Sequence, residues 1–339
     1  MKLPELRMGN LRPSLPIFQG GMAVRLSTHR LAAAVAEAGG VGIIAGTGMT
    51  ARELIEEIRK ARALTKGIIG VNVMYAVTAF ADLVKAAIAE GIDLVVSGAG
   101  FSRDMFTWGK ESGTPIVPIV STARLARVAE KLGASAVVVE GFEAGGHLGT
   151  NESMKKIVPE VAEAVSIPVV AAGGIVEAED IREAIGFGAT GVQMGIRFSA
   201  SEEGNGHDRL KQAYVDASAD DIVIIKSPVG LPGRAIRNAF TERLAAGQAP
   251  APEHCVGCLK VCSKVFCIRQ ALINAQQGRI DDGIIFSGKY IDKIREILPV
   301  REIIARLTGR LAEFPPLPTL ARTALPRAVR PATGSAGAI

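Results

Sequence analysis

The chain has 339 residues, 48% of them apolar and only 4% aromatic, with 38 glycines and a formal charge of +5. That length holds one large α/β barrel with a modest appendage, or two medium domains, and the glycine-rich aliphatic composition suits short buried strands, packing helices and tight turns. The basic residues are spread along amphipathic helices, which argues against nucleic-acid binding; no signal-type N-terminus and no apolar run of about 18 residues is present, so the expectation is a soluble, cytoplasmic chain with no membrane span.

Short apolar runs ending in glycine alternate with helical patterns. The predicted strands are 15–20, 41–46, 67–74, 93–100, 115–120, 136–141, 168–174 and 191–198. Their β-branched residues show no polar face, as expected for parallel strands covered on both sides. Between them, 27–38, 50–63, 122–133 and 177–188 read as amphipathic helices with polar starts and glycine stops. Eight strand–helix units by about residue 217 predict an α/β fold, a (β/α)8 TIM barrel, over an open doubly wound sheet. Residues 221–240 read as a strand, a Gly/Pro loop and a helix start. A cysteine cluster follows, then an amphipathic helix near 289–308. The expected division is a barrel over 1–217, a small C-terminal appendage carrying the Cys cluster over 218–312, and a flexible Pro/Ala/Arg-rich tail over 313–339.

Barrel chemistry sits at the C-terminal ends of the strands, and the glycine motifs fall there. AAGGI (171–175) and QMGIRF (193–198) end the last two strands, where Gly173, Gly174 and Gly195 would let backbone amides approach a phosphate. In EGFEAGGHLG (140–149), Gly145 and Gly146 can bring amides to a flat ring, and His147 would project from the mouth. Asn72 and Gln193 interrupt apolar strands; two such amides argue for a heterocycle with donors and acceptors. His29 and His207 read as structural, and His254 as a weak extra ligand beside Cys255.

IFQGGMA (17–23), GVNVM (70–74), SGAG (97–100), EGFEAGGHLG (140–149), VVAAGGI (169–175) and GVQMGIRF (191–198), met in that order, resemble the nitronate monooxygenase family of FMN barrels. They resemble equally its relative, the FMN-dependent enoyl-acyl carrier protein reductase. The resemblance implies non-covalent FMN, with Gly21, Met22 and Ala23 beneath the ring. Asn72 and Glu140 would lie at its polar edge or ribityl chain, and Gly173, Gly174, Gln193, Met194 and Gly195 would hold the phosphate. His147 matches the motif histidine, a proton-taking base in the monooxygenases and a neighbour of nicotinamide and substrate in the reductases. SPVGLPGRAIRN (227–238) resembles the capping segment, in which Arg234 either meets an anionic substrate or holds the loop.

Cys255, Cys258, Cys262 and Cys267 are separated by two, three and four residues. Thiolates so close would repel one another unless bound, so the spacing predicts a [4Fe–4S] cluster, with structural zinc as the alternative. Together these readings predict a flavin-dependent oxidoreductase exchanging hydride or electrons through FMN, most naturally a reductase with an auxiliary cluster. The alternatives are a nitronate monooxygenase, an enoyl reductase or an electron-transfer subunit. Its partners would be a small-molecule substrate, NAD(P)H, ferredoxin or another electron carrier, and a second copy in a homodimer.

Overall fold

The computed structural model describes residues 1–317, so the predicted tail beyond that point lies outside the described residues. The strands are β1 (Ile17–Gln19), β2 (Val41–Ala45), β3 (Ile68–Met74), β4 (Leu94–Gly98), β5 (Ile116–Val120), β6 (Val137–Glu140), β7 (Gly146–His147), β8 (Val169–Ala172), β9 (Gly191–Met194), β10 (Ile222–Lys226) and β11 (Pro232–Ile236). Eight of them close a parallel barrel in the order β1-β2-β3-β4-β5-β6-β8-β9, and β9 returns to β1 through Phe18↔Gln193. All eight predicted barrel strands are present, so the (β/α)8 TIM barrel stands.

The aliphatic strands fill two layers. Phe18, Val41, Ile43, Val96, Val138 and Val170 pack inside the barrel. Residues of opposite parity, such as Ile44, Val71, Val95, Val139 and Ala171, pack outward against the helices. Burial on both faces removes the polar alternation that a half-exposed strand would show. The helices begin where polar side chains accept otherwise unpaired amides. Thr50 forms a capping box with Glu53 at Ala51–Leu64, and Thr122 accepts from Leu125 at Ala123–Leu132. Gly133, at φ 98°, ends the latter helix in the left-handed conformation.

The C-terminal part departs from the sequence reading in two places. The segment 221–240 carries two strands: β10 and β11 form an antiparallel hairpin, and β11 also pairs with β7 to complete a three-stranded sheet over the barrel mouth. The final helix runs Val300–Glu313, not 289–308; only a short turn, Ile291–Lys293, falls in the earlier stretch. Pro299 explains the shift, since it disfavours helix in the residue before it and is well placed just before a first turn. This helix packs against His29–Glu37 and Ala178–Gly186. Among the described residues no helix is long and apolar enough to cross a membrane.

Candidate active site

A cavity of about 710 Å³ opens at the C-terminal ends of the barrel strands, roofed by the β7–β10–β11 sheet and the cysteine loop. It is lined by Gly21, Met22 and Ala23 after β1, Asn72 on β3, Glu140 at the end of β6, and Gly145, Gly146 and His147 on the following loop and β7. Gly173 and Gly174 after β8, Gln193 on β9 and Gly195 just beyond it complete the set from the sequence reading. Met194 is the exception: its side chain is fully buried in the outer barrel–helix layer, and its carbonyl accepts from Gly20 at 2.9 Å across to β1. Side chains alternate along a strand, so Gln193 facing in requires Met194 to face out.

The barrel-side lining is shaped for a polar ligand. Gln193 Oε1 is buried with no hydrogen-bond partner, an arrangement that costs free energy unless a ligand donor meets it. Among the described residues, the amides of Gly174 and Gly195 donate to no protein acceptor. Gly174 has φ +73° and lies so close to Tyr290 that an added Cβ would sit 2.7 Å from its ring, whereas a Cβ on Gly195 would meet only Met22 Sδ at 3.6 Å. The space beside Gly195 is open cavity. An unpaired amide oxygen, free backbone donors and an open glycine together fit the heterocycle and phosphate of a flavin nucleotide.

His147 hangs over this floor from β7. Its Nε2 is 2.7 Å from Ser227 Oγ, at the end of β10, and its ring meets Phe286 edge-on with centroids 5.1 Å apart. Burial pushes the imidazole pKa down to about 4, so it is neutral at pH 7. Glu140 shows the opposite effect: burial pushes its carboxyl up to about 7. Arg234 is buried and does not reach the cavity; it donates to the carbonyls of Phe142 and Ala144 and lies 4.3 Å from the Phe142 ring. Of the two roles the sequence left open to Arg234, it holds the loop that presents His147. His29 pairs with Glu57 at 2.7 Å and His207 caps Asp208–Asp216, both structural as expected.

Residues Cys255–Cys267 fold back over the mouth. Thr78 N donates to Cys258 O, Lys260 N donates to Ala76 O, and Lys260 Nζ lies 3.6 Å from the centre of the Tyr75 ring. Cys258 lines the cavity, and burial pushes its thiol pKa up. Cys267 caps the helix Ile268–Gln276, accepting from Gln270 N. All four thiols are free. Among the described residues no group of three or more His, Cys, Asp or Glu side chains is placed to hold a metal ion, so the four-thiolate centre expected from spacing is not assembled. Main-chain bonds to the loop after β3, and the capping role of Cys267, shape this segment instead.

Sequence reasoning missed Ser227, Phe286, Ser287, Gly288 and Tyr290, all of which touch His147 or line the cavity. The segment Ile285–Tyr290 lies along β11 and against the EAGGH loop: Ile236 N donates to Ile285 O, and Lys289 N to Glu143 O. An added Cβ on Gly145 would lie 2.6 Å from the Ser287 carbonyl carbon, which is the close approach that glycine permits. Only tertiary pairing brings these residues together, and no local pattern marks them.

A TIM barrel whose strand ends form a polar, glycine-rich floor beneath a half-buried histidine has the arrangement of a flavin-dependent oxidoreductase. The nitronate monooxygenase family model matches residues 7–309, and the chain belongs to that family. FabK from Thermotoga maritima aligns over 89% of this chain and 94% of its own, with a TM-score of 0.79 and 35% identity. A nitroalkane oxidase from Streptomyces ansochromogenes aligns over 89% and 96%, with a TM-score of 0.76 and 28% identity. In Mycobacterium tuberculosis, (3aS,4S,5R,7aS)-5-hydroxy-7a-methyl-1-oxo-octahydro-1H-indene-4-carboxyl-CoA dehydrogenase is 34% identical over 235 residues, which are 68% of this chain and 66% of that protein. The chain thus spans just under two thirds of that relative's length.

Proposed function

We propose that this chain is an FMN-dependent reductase of an activated carbon–carbon double bond, with NAD(P)H as the electron donor. The observation that carries the reading is the lining: beside the polar floor, the cavity is walled by Tyr75, Phe101, Leu125, Val229, Leu259 and Leu272, an apolar set suited to the aliphatic body of an enoyl substrate.

FMN would supply hydride exchange between donor and substrate. Gly21, Met22 and Ala23 would lie under its ring, Asn72, Glu140 and Gln193 would meet its polar groups, and Gly173, Gly174 and Gly195 would take the phosphate. Ser227 holds His147 Nε2, and among the described residues Nδ1 has no partner. Nδ1 is therefore the atom that would exchange a proton with the substrate. The Phe286 ring, edge-on to the imidazole, and the pairing of β7 with β11 hold His147 in place for this exchange.

A second reading, nitronate oxidation, is favoured by the same imidazole, whose Nδ1 has no partner among the described residues and is free to meet a nitroalkane's acidic C–H. One comparison separates the two. Chemically reduced, FMN-loaded protein should be reoxidised anaerobically by an enoyl thioester, and oxidised protein should turn over nitroethane poorly in air. Efficient nitroethane turnover with no response to the enoyl thioester would reverse the order.

The four thiols are not assembled as a metal centre here, and an iron–sulfur centre fed by ferredoxin or a similar carrier would require the loop to gather them. That role rests on the spacing of Cys255, Cys258, Cys262 and Cys267 and on the loop's position over the mouth, and iron content decides it.

A further inference from the structure

We infer that Arg269 is a specificity-determining residue, selecting substrates that carry an anionic group at the far end of an apolar body. The inference rests on the reading of the cavity as a substrate chamber above a flavin.

The residues lining the cavity include one acid, Glu140, at the floor, and one permanent cation, Arg269. The other basic lining residue, His147, is neutral at pH 7. Arg269 belongs to the first turn of Ile268–Gln276, with Ile268 and Leu272 of the same helix also in the lining. It is only partly exposed, and among the described residues no carboxylate pairs with it and no carbonyl accepts from it. Most arginines near it in the chain are engaged; Arg243, for example, bonds Asp282 at 3.0 Å. This guanidinium sits beside the Cys258 thiol and the aliphatic Ile268 and Leu272 with no acceptor of its own, and a carboxylate or phosphate would supply both charge and a planar acceptor edge.

The surroundings strengthen the interaction. The cysteine loop beside Arg269 exposes Val256, Val261 and Val265 at 72%, 77% and 58%, and no acidic residue occurs from His254 to Gln270. The mouth is thus apolar and positive, and the chamber below it is apolar and uncharged down to Glu140. A ligand matching this gradient has an aliphatic body directed toward His147 and its anion at Arg269. The anion can belong to the substrate or to the nucleotide donor, and a binding experiment with simple amphiphiles separates the two.

FMN content is measured first on wild type and Arg269→Gln; equal flavin in both isolates this inference from the cofactor assignment. Decanoate, hexanoate and decanol are then titrated into each FMN-loaded protein by calorimetry. Wild type should bind decanoate about tenfold to a hundredfold more tightly than decanol, the range expected for a hydrogen bond to a charged group. Decanoate should also exceed hexanoate by up to about fourfold per methylene. Arg269→Gln should bring decanoate down to the level of decanol, and Arg269→Lys should restore part of the difference. Equal binding of decanoate and decanol by wild type, or an unchanged preference in Arg269→Gln, would overturn the inference. If the preference holds for decanoate but Arg269→Gln changes only the KM for NADPH and not that for an enoyl thioester, the anion read in turnover is the donor's, and the assignment to substrate selection fails.

Discussion

Gly195 and Gly174 offer a matched pair of perturbations, because both border the proposed phosphate site but only one is needed by the fold. Gly174 has φ +73°, and an added Cβ would sit 2.7 Å from the Tyr290 ring and 3.0 Å from Glu143 Cβ. Left-handed strain costs an alanine about 1–2 kcal/mol, and displacing the ring raises the total to roughly 2–4 kcal/mol. Gly195 carries neither penalty: its φ is −103°, and a Cβ would make ordinary contact with Met22 Sδ at 3.6 Å. Gly195→Asp should therefore leave the flavin-free protein within about 1 kcal/mol of wild type. Its carboxylate would project into the open space beside the free Gly174 and Gly195 amides. At about 4 Å from one negative charge, with an effective dielectric constant of about 20, the repulsion is about 4 kcal/mol, or roughly a thousandfold in affinity. A phosphate carries more than one charge near neutrality, so that value is a floor. The assay is FMN bound per chain after reconstitution and gel filtration, with urea melts of both flavin-free proteins. Gly195→Asp should be folded and colourless, and Gly174→Ala measurably less stable. Full flavin occupancy in folded Gly195→Asp would refute the phosphate assignment.

His147→Ala should keep its flavin and lose about a hundredfold or more in turnover; in wild type, kcat/KM should show no inflection near pH 6.5, because burial pushes the imidazole pKa down to about 4. A limb centred near 6.5 would show the ring to be solvated in the working enzyme. Glu140 carries the reverse linkage. Its folded pKa of about 7 lies above the ordinary glutamate value of 4.5, so the folded state holds the extra proton and stability is lost as pH rises through that window. Glu140→Gln should remove a loss of about 1–3 kcal/mol between pH 5 and 8 in flavin-free urea melts, and parallel curves for the two proteins would contradict it. Anaerobically purified protein should hold about four irons per chain if the cysteine loop binds a cluster; one zinc and no iron would make the loop a structural staple.

The barrel was legible because each strand is a short run of β-branched residues ending in glycine, a pattern that survives without knowledge of partners. The floor of the site was legible from the same runs: Glu140 and Gly173 fall where two of them end, and Asn72 and Gln193 are the polar residues that interrupt two others. Met194 was misplaced by reading a motif as a block; the two-residue period of a strand already assigns it to the face opposite Gln193. The roof was far less readable. β7 has two residues, and Pro232-Gly233-Arg234 opens β11 without alternation, so neither resembles a strand until they pair with each other. Ser227 and Phe286 reach His147 only through that sheet, 80 residues on in the case of Ser227. The cysteine spacing pointed to a bound centre, whereas the loop's path follows backbone bonds to Ala76 and Thr78.

Anaerobic stopped-flow reduction of the FMN-loaded chain by NADH and by NADPH tests the central claim most directly. The account predicts that at least one nucleotide bleaches the flavin at a rate no slower than turnover, and that an enoyl thioester then restores the oxidised spectrum without oxygen. A flavin that dithionite bleaches but neither nucleotide reduces, or that only oxygen reoxidises, would contradict it.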